Sequence, residues 1–219
     1  NRGIRRAKRD FAVTCNIRVD VVRDYGPEIA LMLLDEIKTN GDNIVAIDTG
    51  GMEDGIPPRT YAEVYETARE QGLRLVAHQG EAAGVDYVWG CIEHLKPERI
   101  GHGVVAAMDS KLLSEIAKQG ISIETCPMSN LRTGAVKSLK SHPIRRFMEA
   151  GIKVSVNTDD PPMFGTDMNT EYLILHRELG FTAEELYQIG LDSIETSFID
   201  ETEKARLRKE FNADYMKLD

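Results

Sequence analysis

The sequence predicts an α/β protein built on a parallel sheet. Two observations carry that prediction. The spacing of apolar residues switches repeatedly between 2 and 3.6 along the 219-residue chain. The strand-like stretches end in polar or glycine-rich loops, and most helix-like stretches end in glycine. Regular alternation of strand and helix means parallel strands, in a sheet either doubly wound or closed as a (β/α)8 barrel.

The elements follow in order. "NRGIRRAKRDF" places Ile4, Ala7 and Phe11 at helical spacing with charges between them. It reads as a helix already under way, so further chain is expected before Asn1. "FAVTCNIRV", residues 11–19, reads as a strand. "GPEIALMLLDEIKTNG" reads as a helix with Pro27 near its start and Gly41 past its end. "NIVAIDT" is a strand, "RTYAEVYETAREQG" a helix ended by Gly72, and "LRLVAH" a strand. "AAGVDYVWGCIEHL" is expected to be helical and "RIGHG" a short strand. "DSKLLSEIAKQG" has Asp109 as cap, Leu112, Leu113, Ile116 and Ala117 on one face, and Gly120 as its stop. "ISIETC" is a strand, "HPIRRFMEAG" a helix and "IKVSVNT" a strand; the two prolines after Asp160 are expected to prevent regular structure there. Helices finish the chain, one opened by a capping box from Thr182 to Glu185. Six strand–helix units result, with no composition break, so one domain is expected over residues 1–219. A typical barrel has eight units in about 250 residues, and six would fit a barrel without its first two.

Composition narrows the function classes. A net charge of −9 argues against a nucleic-acid partner, which needs a basic patch. No apolar run approaches a membrane span. Cys15, Cys91 and Cys126 are scattered, odd in number and form no CxxC pair, which favours a reducing compartment; with no recognisable signal peptide, a cytoplasmic location is expected. No GxGxxG follows a strand, which disfavours a dinucleotide site.

The polar residues fall where parallel α/β proteins bind ligands, at the carboxyl ends of strands. His78 and Glu81 end one strand, His102 the next, Cys126, Ser129 and Asn130 a third, and Asp159 with Asp160 a fourth; "IDTGGMEDG" ends an earlier one. Each has an ordinary explanation: a satisfied histidine, a turn or helix cap, a glycine turn. Joint placement is what favours a site. His94, His142 and His176 lie in helical segments and read as structural, with His142 near a helix start, and Cys126 reads as a small buried residue. Imidazole and carboxylate suit Zn²⁺. Ser155, Asn157 and Asp159 share one strand parity, facing a polar interior, and Val154 and Val156 the other. Two adjacent carboxylates repel, and a bound cation removes that penalty. Water held by zinc titrates near pH ~7, giving a nucleophile; Glu81, His102 and Asp159 are placed to serve it.

"HQGE", "RIGHG", "CPMSN" and "NTDDP", in this order, resemble the adenosine deaminase family of the amidohydrolase superfamily from about Phe11 onward. The resemblance implies a (β/α)8 barrel with one catalytic Zn²⁺, here of about six C-terminal units. It implies His78 and Asp159 as zinc ligands, Glu81 as the proton donor to purine N1, and His102 holding the attacking hydroxide. Asp160 would bond purine N7 and Gly51 would contact N3. The implied reaction is hydrolytic deamination of a 6-aminopurine, adenosine first, with adenine, aminodeoxyfutalosine and N6-substituted AMP as alternatives. Three departures stand out. Gln79 replaces the usual alanine, and Gly51-Met52-Glu53 replaces Gly-Asp-Glu. The family's HxH ligand pair occurs nowhere in this chain. The chain by itself is therefore expected to hold zinc weakly and turn over little, and a homo-oligomer covering open barrel edges is expected. A non-catalytic α/β binding module is the second alternative.

Overall fold

A computed structural model describes residues 1–217; residues 218 and 219, the end of the expected domain span, lie outside the described residues. Helix α1 (Arg2–Phe11) precedes six strands: β1 (Ile17–Val22), β2 (Ile44–Gly50), β3 (Arg74–Gln79), β4 (Arg99–His102), β5 (Ser122–Thr125) and β6 (Val154–Val156). All neighbours pair parallel, in the order β1-β2-β3-β4-β5-β6. A doubly wound sheet reverses its order at a switch point. This one never does, so the sheet is wound in one direction like the wall of a barrel. Among the described residues β1 and β6 have one strand neighbour each.

The connections carry α2 (Pro27–Asn40), α3 (Ala62–Glu70), α4 (Val85–Gly90), α5 (Ser110–Gln119), α6 (Pro127–Arg132) and α7 (Ile144–Glu149). After β6 come α8 (Pro161–Phe164), α9 (Met168–Leu179), α10 (Ala183–Thr196) and α11 (Glu201–Tyr215). Two apolar clusters lie between sheet and helices. One joins Val21, Ile47 and Leu75 to Leu34, Val64 and Tyr65; the other joins Ile100, Ile123 and Val154 to Leu112, Ile116, Phe147 and Ile189. The inner face of the sheet is charged instead. Arg18 on β1 crosses to Glu124 on β5 at 2.6 Å and also meets Asp48 on β2 at 3.1 Å. Phe198 lies beneath this layer, its ring 3.6 Å from the Arg99 guanidinium.

Three expectations are corrected. The first strand starts at Ile17, because α1 continues to Phe11 and closes on a left-handed Ala12, φ 55°. Val19 and Val21 face the helices, while Arg18 and Asp20 face inward, with Asp20 level with Asp48 of β2. The helix expected over 82–95 is α4 followed by a wider π-turn over Cys91–Leu95. Pro161 and Pro162 begin α8 and do not break structure, since the first turn of a helix needs no donor from them. The predicted caps are present: Asp109 accepts from Lys111 N and Leu112 N, and Thr182 and Glu185 form the capping box. No helix of the described residues is long and apolar enough to cross a membrane.

Candidate active site

A cavity of about 670 Å³ opens at the carboxyl ends of the strands. His78, His102, Cys126, Asn157, Asp159 and Asp160 line it, with Arg18, Asp20 and Glu124 deeper in. Glu81 stands at its edge, 3.5 Å from His102. Gly51, expected at the substrate, is not part of this lining. It ends β2 with φ 80°, where a Cβ would come within 2.0 Å of Asp24 Oδ2, so only glycine fits.

His78 is held from behind. Asp48, fully buried, accepts from the His78 backbone N–H at 2.9 Å and from ring Nδ1 at 2.9 Å. Burial works against charge on this imidazole, but the Asp48 charge and hydrogen bond outweigh it and push its pKa up to about 9. With Nδ1–H committed to Asp48, Nε2 is left for the cavity. A carboxylate behind a histidine is the usual backing of a metal ligand. Gly101 is the adjacent register partner, and a Cβ there would lie 3.1 Å from His78 Nδ1. Arg23, also buried, ties the strand ends together by donating to Thr49 Oγ1, Gly51 O and His78 O.

The loop carrying Glu81 is organised by Glu53. This buried carboxylate accepts from the backbone N–H groups of Gly80, Glu81 and Ala82 and from Gln79 Nε2. The departure at Gln79 thus has a partner, and its amide is 1% exposed. Glu81 Oε1 accepts from Thr133 Oγ1 at 2.9 Å, leaving Oε2 toward His102.

His102 and Asp159 both hold left-handed backbone, φ 65° and 55°. Simple alternation would put His102 on the face of Ile100, among the helices; the left-handed turn directs it into the cavity instead. Burial lowers the His102 pKa, with nearby Glu81 opposing and His78 reinforcing the effect. Asp159 Oδ2 accepts from Ser129 Oγ at 2.7 Å, while Asp160 begins α8, so the adjacent acids diverge. The alternation expected of β6 holds for Val154 and Val156, which are packed against the helices; past the end of β6 the four consecutive residues from Asn157 to Asp160 all line the cavity, so alternation does not set the direction of Asp159.

Among the described residues, the metal-competent groups that crowd most closely are His102, Cys126 and Asp159, with ligand atoms within 4.8 Å of one another. Burial pushes the Cys126 thiol well up, and the surrounding acids push it further, so it resists ionising to a thiolate. His78 and Asp159 fit a zinc ion better as donors: one imidazole whose Nε2 faces the cavity, where a metal would displace its proton, and one carboxylate whose second oxygen is not used by Ser129.

The sequence model described as "Adenosine deaminase" matches residues 1–214. The chain belongs to the adenosine deaminase family. A relative called adenosine deaminase, from Shewanella loihica, is 37% identical over 205 residues, covering 94% of this chain and 62% of the relative. A relative called aminodeoxyfutalosine deaminase, from Streptomyces avermitilis, is 38% identical over 209 residues, covering 94% and 58%. The solved adenine deaminase of Arthrobacter aurescens superposes with a TM-score of 0.93 at 30% identity, over 99% of this chain and 66% of that one. The chain thus spans about six tenths of the length of these curated relatives. The parallel six-stranded arc of this deaminase-family chain matches barrel-type amidohydrolase neighbours.

Asp20, Asp48, Glu53 and Arg23 were not singled out as site residues by sequence reasoning alone, and Asn130 was placed at a strand end without a role. Asp48 carried a usable signal, as a lone acid ending the otherwise apolar run "NIVAID".

Proposed function

We propose that the site performs zinc-dependent hydrolytic deamination of a 6-aminopurine. The observation that carries this is the placement of Glu81 Oε2 3.5 Å from His102 Nε2, beside a histidine backed by Asp48. Zinc, when bound, supplies the Lewis acidity that makes water a nucleophile near neutral pH. His78 and Asp159 would be two of its ligands. Glu81 gives a proton to purine N1 as the water oxygen bonds to C6. His102 holds the attacking oxygen. Asp159 takes the proton lost by the water and passes it to the amino group, the C6 hydroxyl returns one to Glu81, and the C6–N bond breaks with loss of ammonia. Asp160 bonds N7; Gly51 would contact N3 only if the purine reaches past the cavity lining to the end of β2. Thr133 and Glu53 keep Glu81 in place while its proton moves.

Adenosine is the first choice of substrate, in line with relatives of that name at 37–39% identity. The aminodeoxyfutalosine deaminase relative at 38% makes that substrate the strongest competitor. The test is ammonia release by the full-length, zinc-loaded protein from adenosine, adenine, aminodeoxyfutalosine and N6-methyl-AMP. Turnover of one of them supports the proposal; zinc bound with no turnover of any refutes the 6-aminopurine assignment. A homo-oligomer is a further part of this proposal, which sedimentation of the full-length protein tests.

A further inference from the structure

Asn130 and His142 have no role in the reaction above, yet both are buried and hydrogen-bonded in line with His102. The chain of bonds has a fixed direction. It starts at the backbone N–H of Ile144, which lies 3.3 Å from His142 Nδ1. A backbone N–H can only donate, so His142 Nδ1 presents its lone pair and the neutral ring carries its proton on Nε2. That Nε2 lies 3.1 Å from the Asn130 side-chain amide, which must answer with its oxygen. The amide nitrogen, Nδ2, then faces His102 Nδ1 at 3.0 Å. The opposite amide orientation would set N–H against N–H. Since Nδ2 donates, His102 Nδ1 accepts.

We propose that Asn130 and His142 are positioning residues that fix the proton of His102 on Nε2, so that His102 serves the reaction as a hydrogen-bond donor and not as a base. Its Nε2 is left for the cavity, with Glu81 Oε2 3.5 Å from that nitrogen. His78, whose ring lies edge-on to His102 at 4.9 Å between centroids, has the opposite arrangement, Nδ1–H on Asp48 and Nε2 toward the cavity. Two touching histidines are thus given different work by the groups behind them. His78 offers the nitrogen opposite Asp48, where a metal would take the place of the ring proton, whereas His102 keeps a proton on its cavity-facing nitrogen as a hydrogen-bond donor. Proton acceptance falls to the carboxylates Asp159 and Glu81. Burial, with His102 adding to it, holds the His142 pKa down at about 4, which keeps the first member of the chain neutral.

This rests on the proposed function only in taking His102 as part of a hydrolytic site; the proton position can be read without turnover. Long-range ¹H–¹⁵N correlation on the full chain, labelled with ¹⁵N-histidine at neutral pH, distinguishes a protonated from an unprotonated ring nitrogen. His102 is expected to show protonated Nε2 and unprotonated Nδ1. Asn130→Asp offers only acceptors, and is expected to move the proton to Nδ1. It is also expected to lower kcat on the order of 10²–10⁴-fold, the scale of a histidine held in the wrong tautomer. His142→Gln retains a donor toward Asn130 Oδ1 and is expected to keep the parent pattern; His142→Phe lacks it and is expected to give both tautomers. A residue that only supports packing would change stability and leave the tautomer alone. Parent protein with the His102 proton on Nδ1 overturns the inference, as does an Asn130→Asp protein that keeps it on Nε2. The expected tautomer in a protein that deaminates no purine would refute the proposed substrate class and leave this inference standing.

Discussion

Glu53→Gln tests whether one buried carboxylate organises the catalytic loop. Glu53 accepts four N–H groups, two on each oxygen: Gln79 Nε2 and Gly80 N on Oε1, Glu81 N and Ala82 N on Oε2. An amide keeps one acceptor oxygen and presents an NH₂ in place of the other. Whichever way it turns, two donors lose their acceptor and face other donors. Each buried donor left unsatisfied costs about 1–3 kcal/mol, so the substitution is expected to destabilise the fold by about 2–6 kcal/mol. The loop must also move away from the NH₂, carrying Glu81 with it. A shift of ~1 Å in a catalytic group costs on the order of 10²-fold in rate. Urea unfolding at neutral pH reads the first effect, and ammonia release by the full-length zinc enzyme reads the second. Gln79→Ala removes one of the four donors and should cost only about 1 kcal/mol. In the double variant the two losses should fall short of additive, because the partners touch. A Glu53→Gln protein within about 0.5 kcal/mol of the parent would refute the assignment of Glu53 as the loop's anchor.

Three further outcomes are expected. Gly101→Ala places a Cβ 3.1 Å from His78 Nδ1, and Asp48 prevents that ring from moving aside; zinc affinity measured by titration against a competing chelator should fall on the order of 10-fold, the lower end of losses for changes behind a ligand. Ile116→Ala empties a fully buried position between α5 and the sheet, and should cost about 2–5 kcal/mol in urea unfolding with kcat per folded molecule unchanged. His142 has a folded pKa of about 4 against 6.5 for the free side chain, so the unfolded chain binds the extra proton between those values. Its contribution is intact above pH ~6.5 and is lost as pH falls toward ~4, by up to about 3 kcal/mol; His142→Gln should flatten that part of the stability–pH curve.

The parts of this site legible in the sequence are those set by local pattern. His78, Asp159 and Asp160 were found because an apolar run ends and a polar residue follows at the mouth of the sheet. His102 was found for the same reason, although its orientation depends on a left-handed backbone that no pattern announces. Glu53 was visible only as the matching acid of the Gly51-Met52-Glu53 stretch and had no role there, because its acceptors are used by groups more than 25 residues away. The first strand was misplaced because its inner face carries Arg18 and Asp20, and alternating charge and valine looks like a surface until the opposite wall supplies Glu124. His142 was read as a helix-start residue, and it does accept from Ile144 N; its other nitrogen, reaching Asn130, is a tertiary contact. The helix at Pro161 was missed because proline was weighed as a breaker and not as a first-turn residue.

Arg18 has a mechanical consequence. The sheet is an arc, and Arg18 is a chord across it, joining β1 to β5 while bracing against β2. A chord of set length determines curvature. At the base of the cavity the reach of this one side chain thus helps set how far β1 and β5 stand apart. Lysine offers a single cationic head and cannot grip Asp48 and Glu124 together in the way a planar fork does. With that brace slackened the arc would flatten, and His78 on β3 and Asp159 beyond β6 would drift apart without any change to either residue.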